Sequence, residues 1–258
     1  LVRRMKFEII TLFPDFFSLS MRQSLLGKAL EKHLFELSVI DLRDFATDRH
    51  RTVDDTPFGG GGGMVLKVEP LDRCLQALGY GRKSDTTAPS DRERIVLTSA
   101  AGVRFDQAMA MRFSLCDRLT IISGHYLGVD ERLLDLYEID EISIGDYVLT
   151  GGEPAAAVMI DAVARLIPQV LGNFESALGD SYMEPMLGSP CYTKPADYDG
   201  QKVPEALLSG NHKEIANFRR HQAIRKCLLN RRELLKTAEL TDEEIGYIKQ
   251  LDPTVQID

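Results

Sequence analysis

The first two thirds of the chain alternate between two hydrophobic periods. Short runs rich in apolar and β-branched residues read as strands: Phe7–Leu12, Phe35–Asp41, Arg94–Thr98, Leu119–Ser123 and the Ile139–Leu149 region. Between them, apolar residues at helical spacing predict helices over Phe16–Lys32, Glu69–Leu78, Asp106–Phe113, Glu131–Tyr137 and Ala155–Ile167. Strands alternating with helices predict crossover units and a largely parallel sheet covered on both faces, an α/β fold. Ligands of such sheets sit beyond the carboxyl ends of the strands. Here those ends are Thr98–Gly102, Ser123–Tyr126 and Gly145–Tyr147, all rich in loop-forming residues.

After Pro168 the pattern changes. Gly172 to Pro195 holds three Gly and three Pro among polar residues and has no clear period. This predicts a first domain over residues 1–171, a mobile interdomain linker over 172–184 and a small helical domain over 185–258. Asn211-His212-Lys213-Glu214 and Thr241-Asp242-Glu243-Glu244 both have the form of a helix-capping box. Ile215, Phe218, Ile224, Cys227 and Leu228 recur at helical spacing and are expected to pack inward.

Composition narrows the class. With 44% hydrophobic and 27% charged residues the chain has the make-up of an ordinary globular protein, neither disordered nor fibrous. The longest apolar stretch, near Pro154–Leu171, is broken by Asp161 and Arg165 and falls short of the ~20 residues of a membrane span. No signal peptide is visible, and Met5 reads as a natural start. The four cysteines are widely separated, which fits reduced thiols in a cytoplasmic protein better than a disulfide frame or zinc site.

Three glycine-rich stretches are the candidate chemistry. Gly59–Gly63 follows Asp48–Asp55; backbone without side chains can approach a phosphate or base closely, although such a run also serves as a plain surface loop. It is not a P-loop, and no Gly-x-Gly-x-x-Gly occurs, which removes the main support for ATPase and dinucleotide-binding readings. Ser143–Glu153 brackets a strand-like stretch with glycines and runs directly into a helix. Gly124–Gly128 ends another strand. Together they suggest a pocket in which a flat heterocycle lies against Ile144 and Leu149; the plain alternative is tight strand-to-helix connections. No histidine has a partner at metal-ligand spacing, so no metal site is expected. On their own, Arg165 fits a surface ion pair and Asp180 a solvated loop carboxylate.

Charge distribution is more informative than its sum. The net charge of -8 argues against a wholly nucleic-acid-binding surface. Yet residues 213–236 hold eight basic and two acidic side chains, a local +6 that leaves -14 elsewhere. A basic helix on an acidic protein is a candidate phosphate-binding stripe; a solvated helix face is its plain alternative.

Taken together, several long motifs in order carry a resemblance. They are Ile10-Thr11-Leu12-Phe13-Pro14, Asp41–Phe45, Asp48–Asp55 with the following glycines, Ser143–Glu153, Tyr192-Thr193-Lys194-Pro195 and Leu207–His212. Over essentially its whole length the chain resembles the bacterial tRNA (guanosine-37, N1)-methyltransferases, the TrmD family of the SPOUT superfamily. The resemblance implies a parallel-sheet domain with a deep trefoil knot, which no periodicity could show and general topology disfavours, followed by an all-helical C-terminal domain. It implies S-adenosylmethionine bound by Leu97, Thr98 and Ser99, by Gly124, Tyr126 and Gly128, and by Ile144, Gly145, Tyr147, Leu149, Gly151 and Gly152. Asp180 is then the general base at guanine N1 and Arg165 the cation that stabilises O6. Contacts with the tRNA anticodon arm fall to Asp54, Gly59 and Gly60, and to Ser181, Asn211, His212, Arg219 and Arg220. Magnesium assists, although no carboxylate cage for it is evident. A homodimer with its active site at the subunit interface is also implied. Two departures stand out. Leu127 replaces the family's usual glutamate, and the Thr98–Gly102 loop is one residue longer and lacks the usual proline. A SPOUT enzyme acting at another RNA position, or a non-catalytic RNA binder, are the competing readings.

Overall fold

A computed structural model of the chain describes residues 4–85, 92–172 and 179–255. It divides into two compact units, Leu1–Gly172 and Asn173–Asp258.

The first unit runs β1 (Met5–Thr11), α1 (Pro14–Ser20), α2 (Ser24–Glu31), β2 (Phe35–Asp41), β3 (Asp54–Asp55), β4 (Val65–Leu66) and α3 (Val68–Ala77). It continues with β5 (Glu93–Arg104), α4 (Gln107–Ser114), β6 (Arg118–Ser123), α5 (Arg132–Leu136), β7 (Ile139–Ser143) and α6 (Glu153–Ala164). Five strands form one sheet in the order β2-β1-β6-β5-β7, with every neighbouring pair parallel. The predicted α/β class therefore stands. Strand alternation supplies two cores. Phe7, Ile9, Val96, Leu119 and Ile121 face Phe17, Phe113 and Ile160 of the α1, α4 and α6 helices. Ile10, Leu97 and Ile122 face Leu71 and Leu75 of α3 and Leu133 of α5.

Several predicted boundaries shift for local reasons. The helix expected over Phe16–Lys32 is two helices. Ser24 has a left-handed backbone (φ 54), and Gly27 packs so tightly on the Arg22 carbonyl that a side chain would collide with it. The strand expected to continue to Leu149 stops at Ser143. Its hydroxyl accepts from the Gly145 amide at 3.2 Å and donates to the Gly145 carbonyl at 3.0 Å, turning the chain. β5 carries a break in register: Thr98 and Val103 both pair with Ile142, so residues 99–102 stand out as a bulge.

The second unit contains β8 (Asp197–Tyr198), β9 (Gln201–Lys202), α7 (Glu205–Leu208), α8 (His212–Asn230), a 3-10 turn over Arg232–Lys236, and α9 (Asp242–Leu251). It is not purely helical, because β8 and β9 pair as an antiparallel hairpin. Asp199 and Gly200 between them both have positive φ (53 and 79), the geometry that an Asp-Gly turn selects. The core gathers Met186, Ile224, Cys227, Leu228, Leu235 and Ile248. Ile215 and Phe218, expected inward, remain half-buried and outside that cluster, on the part of α8 that runs beside the single short turn α7. Thr241 and Glu244 form the predicted capping box; Asn211 caps α8 through its own side chain. Of the expected linker, residues 173–178 lie outside the described residues.

Candidate functional site

The carboxyl ends of β5, β6 and β7 converge, and the loops leaving them enclose a cavity of about 440 Å³. All the residues that the family resemblance assigned to a cofactor line it. Leu97, Thr98 and Ser99 come from β5; Gly124, Tyr126 and Gly128 follow β6; Ile144, Gly145, Tyr147, Leu149, Gly151 and Gly152 lie between β7 and α6.

Glycine is what lets these loops meet. The Gly152 amide donates to the Gly124 carbonyl at 2.6 Å, and the Gly124 amide donates to Thr98 Oγ1 at 3.0 Å. His125 and Gly151 pair as an isolated antiparallel bridge. A side chain at Gly152 would overlap Thr98 Oγ1 and sit 2.7 Å from the Gly124 nitrogen, so no other residue fits. Just beyond, Glu153 opens α6 with its carboxylate 4% exposed and accepting from Thr11 Oγ1 at 2.7 Å. A helix N-terminus favours negative charge there. The cavity size lies within the range of small-molecule sites, and its backbone-lined walls suit a nucleoside-sized ligand.

The lining residues not singled out as ligand contacts from sequence include His125, Glu131, Glu141 and Leu127. The His125 ring meets Phe13 at a tilt and Tyr126 edge-on, with centroids 5.2 and 4.4 Å away, and its Nδ1 is buried without a hydrogen-bond partner. Glu131 and Glu141 give the cavity two carboxylates although position 127 has none. Their only sequence signal is their nearness to the Gly124–Gly128 loop and to β7.

The glycine run reaches this cavity's lining only at Gly63, which lies against Leu127. β3 and β4 pair antiparallel, Asp54 opposite Leu66 and Asp55 opposite Val65, so Gly59 and Gly60 lie on the loop between them. Met64 accepts from the Leu127 amide and Gly128 from the Leu66 amide, both at 3.0 Å. Leu127 itself packs against Gly63, where an added Cβ would lie 3.0 Å from its Cγ.

The remaining assigned residues are distributed between the units. Arg165 forms the C-cap of α6 in the first unit, its amide donating to Asp161 at 3.2 Å. Asp180 is exposed in the second unit, its carbonyl accepting from the Met183 amide at 3.4 Å. Ser181 Oγ accepts from the Gly188 amide at 2.9 Å. Asn211 accepts from the Lys213 and Glu214 amides, and His212 opens α8 beside it. Arg219 is exposed, whereas Arg220 bonds Glu244 at 2.7 Å, the Glu239 carbonyl at 2.7 Å and Glu184 at 3.3 Å. Arg231 pairs with Glu233, and Arg232 with Asp252 at 2.8 Å. Three of the eight basic residues between 213 and 236 are thus matched by carboxylates, and the cationic stripe is narrower than its charge count. Among the described residues no three His, Cys, Asp or Glu side chains gather to hold a metal ion, and no helix is long and apolar enough to cross a membrane.

Comparison with known proteins agrees with this geometry. The profile of the tRNA (guanine-1)-methyltransferase family TrmD matches residues 5–237. A tRNA (guanine-N(1)-)-methyltransferase of Geotalea uraniireducens is 47% identical over 247 residues, covering 96% of this chain and 97% of its own. The protein of that name from Limosilactobacillus reuteri is 45% identical over 255 residues, covering 97% and 99%. That from Carboxydothermus hydrogenoformans is 46% identical over 240 residues, covering 93% and 91%. With nearly every residue aligned and the glycine loops gathered around one cavity, the chain belongs to the TrmD family of tRNA (guanine-1)-methyltransferases.

Proposed function

We propose that the chain methylates N1 of guanosine 37, beside the tRNA anticodon, using S-adenosylmethionine. The observation that carries this reading is the convergence of three loops, two of them glycine-rich, on one cavity at the carboxyl edge of a parallel sheet. The loop backbones at Gly124, Gly128, Gly145, Gly151 and Gly152, with Leu97 and Leu149, would hold the methyl donor. Bound there, it supplies an electrophilic methyl group on a sulfonium.

Guanine N1 carries a proton and is a poor nucleophile until that proton leaves. Asp180 is the general base that takes it, and Arg165 steadies the negative charge developing on O6. As the new N1–carbon bond forms the carbon–sulfur bond breaks, and the N1 proton ends on the Asp180 carboxylate. Asp54, Gly59 and Gly60 face the substrate from beside the cavity. Ser181, Asn211, His212 and Arg219 meet the anticodon arm; Arg220, with three protein acceptors, serves the fold more than the RNA. The described residues form no cage for magnesium.

The reading includes a cytoplasmic homodimer with the active site at the subunit interface. Phe16 and Leu19 of α1 and Val158 of α6, on helices packed together, leave apolar surface exposed, which suits a covered face. It also includes a trefoil knot in the loops after β5, β6 and β7, consistent with the packing of Gly152 on Thr98 and Gly124. The test is Asp180→Asn. It should bind tRNA and methyl donor normally and lose methyl transfer by about 10²–10⁴-fold, the usual contribution of a general base. Near-normal turnover would remove Asp180 from that role.

A further inference from the structure

The residues around Asp180 are built onto α8. Tyr182 donates its amide to the Met186 carbonyl at 2.9 Å, and Met186 donates to Glu184 at 2.6 Å. Ser181 Oγ accepts from the Gly188 amide, closing the loop at its base. Met186 is buried among Ile224, Cys227 and Leu228, and the Leu187 amide donates to Cys227 Sγ at 3.2 Å. From outside, Arg231 Nη1 donates to Tyr182 Oη at 2.9 Å, while Glu233 holds the same guanidinium. Arg231 ends α8, its amide donating to the Cys227 carbonyl at 2.8 Å. The Tyr182 backbone lies in the left-handed region (φ 71). A bulky residue persists there only where its surroundings fix it, and such positions cluster at functional sites.

We propose that Tyr182 and Arg231 are positioning residues that clamp the turn bearing Asp180 to the end of α8, so that the helical unit presents the carboxylate in one fixed orientation. This rests on the reading of Asp180 as the base. Tyr182 is two residues from Asp180, so freeing its side chain lets the intervening backbone rotate and costs orientation at the proton-transfer step. The clamp is one charge-assisted hydrogen bond backed by the Arg231 guanidinium over the Tyr182 ring, 5.4 Å from its centroid, and losing the hydrogen bond corresponds to a change of about tenfold.

The test uses the full chain with Tyr182→Phe and Arg231→Met, which delete the bond from either side and keep most of the packing. Amide hydrogen exchange over residues 180–188 should quicken about tenfold in both variants, the size expected for that bond. Single-turnover methyl transfer at saturating tRNA and S-adenosylmethionine should slow by a similar factor. The tRNA Kd of Tyr182→Phe should stay within about twofold, and the double variant should be no slower than Arg231→Met, since one bond is shared. Unchanged exchange in both variants would overturn the clamp. Faster exchange with an unchanged saturated rate would show that the clamp does not position the base. Asp180→Asn separates the underlying reading: it should keep slow exchange over 181–188 and lose the chemistry. Full activity there would discard the base, and with it the positioning role, whatever the exchange rates.

Discussion

The Glu8 carboxylate lies fully buried in the sheet, 0% exposed, between Thr120 Oγ1 and Arg118 Nε, each donating at 2.8 Å, with Lys6 paired at 2.6 Å. Burial pushes its pKa up, but the hydrogen bonds from Lys6, Thr120 and Arg118 outweigh it and hold the group below the usual value. A carboxyl whose folded pKa is depressed adds stability that is complete above its unfolded pKa and disappears as pH falls through the folded one. Glu8→Gln should therefore flatten the acid side of the stability curve. It should also cost about 3 kcal/mol at neutral pH, because Arg118 is left without its buried partner. Urea unfolding at pH 7 and pH 4 measures both; an unchanged acid slope would contradict the assignment. Glu8 was not legible in the sequence, where it is one polar residue inside an apolar run. The glycines at 124, 145, 151 and 152 were legible, because few other residue types end a strand in that pattern. His125, Glu131 and Glu141 were not: a loop pattern marks where chain turns, not which side chains turn inward.

Elements were legible where periodicity is strong and obscure where a single contact decides. The five parallel strands follow from their apolar runs, and α8 from its Asn211 cap. The end of β7 depends on one hydroxyl, that of Ser143, and the bulge in β5 on one crowded position, Gly102, where a Cβ would strike the backbone of Glu141 and Ile142. The β8–β9 hairpin did leave a signal, Asp199-Gly200, which a search for helices passes over. On α8 and the turn after it, ion pairs decide which cations remain for the proposed contact with RNA. Arg219 and Arg225 are exposed, while Arg220, Arg231 and Arg232 are matched by carboxylates. Arg219→Ala and Arg225→Ala should each weaken tRNA binding and lower the slope of log K against log salt by about 0.7–0.9 for every phosphate that is no longer neutralised. Binding titrations between roughly 50 and 200 mM salt, where phosphate neutralisation dominates the salt dependence, check this. A slope unchanged in both variants would remove α8 from phosphate binding.

At the scale of the whole chain, an overall charge of -8 coexists with a +6 segment inside the second unit. On the proposed reading the remaining -14 restrains non-specific attraction to nucleic acid, since summed like charge repels a polyanion. The same division separates the two proposed chemical roles: the donor cavity and Arg165 belong to the first unit, Asp180 and the basic helix to the second. Strand order and the closure of the loops after β5, β6 and β7 on one another could not be read from periodicity, because both depend on residues far apart in the chain. The central claim is that these parts methylate guanosine 37 at N1. Incubating the full chain with labelled S-adenosylmethionine and paired tRNA transcripts, identical except for guanosine or adenosine at position 37, tests it most directly. Digestion should yield N1-methylguanosine from the guanosine-37 transcript alone. No labelled product, or equal labelling of both transcripts, would contradict the account.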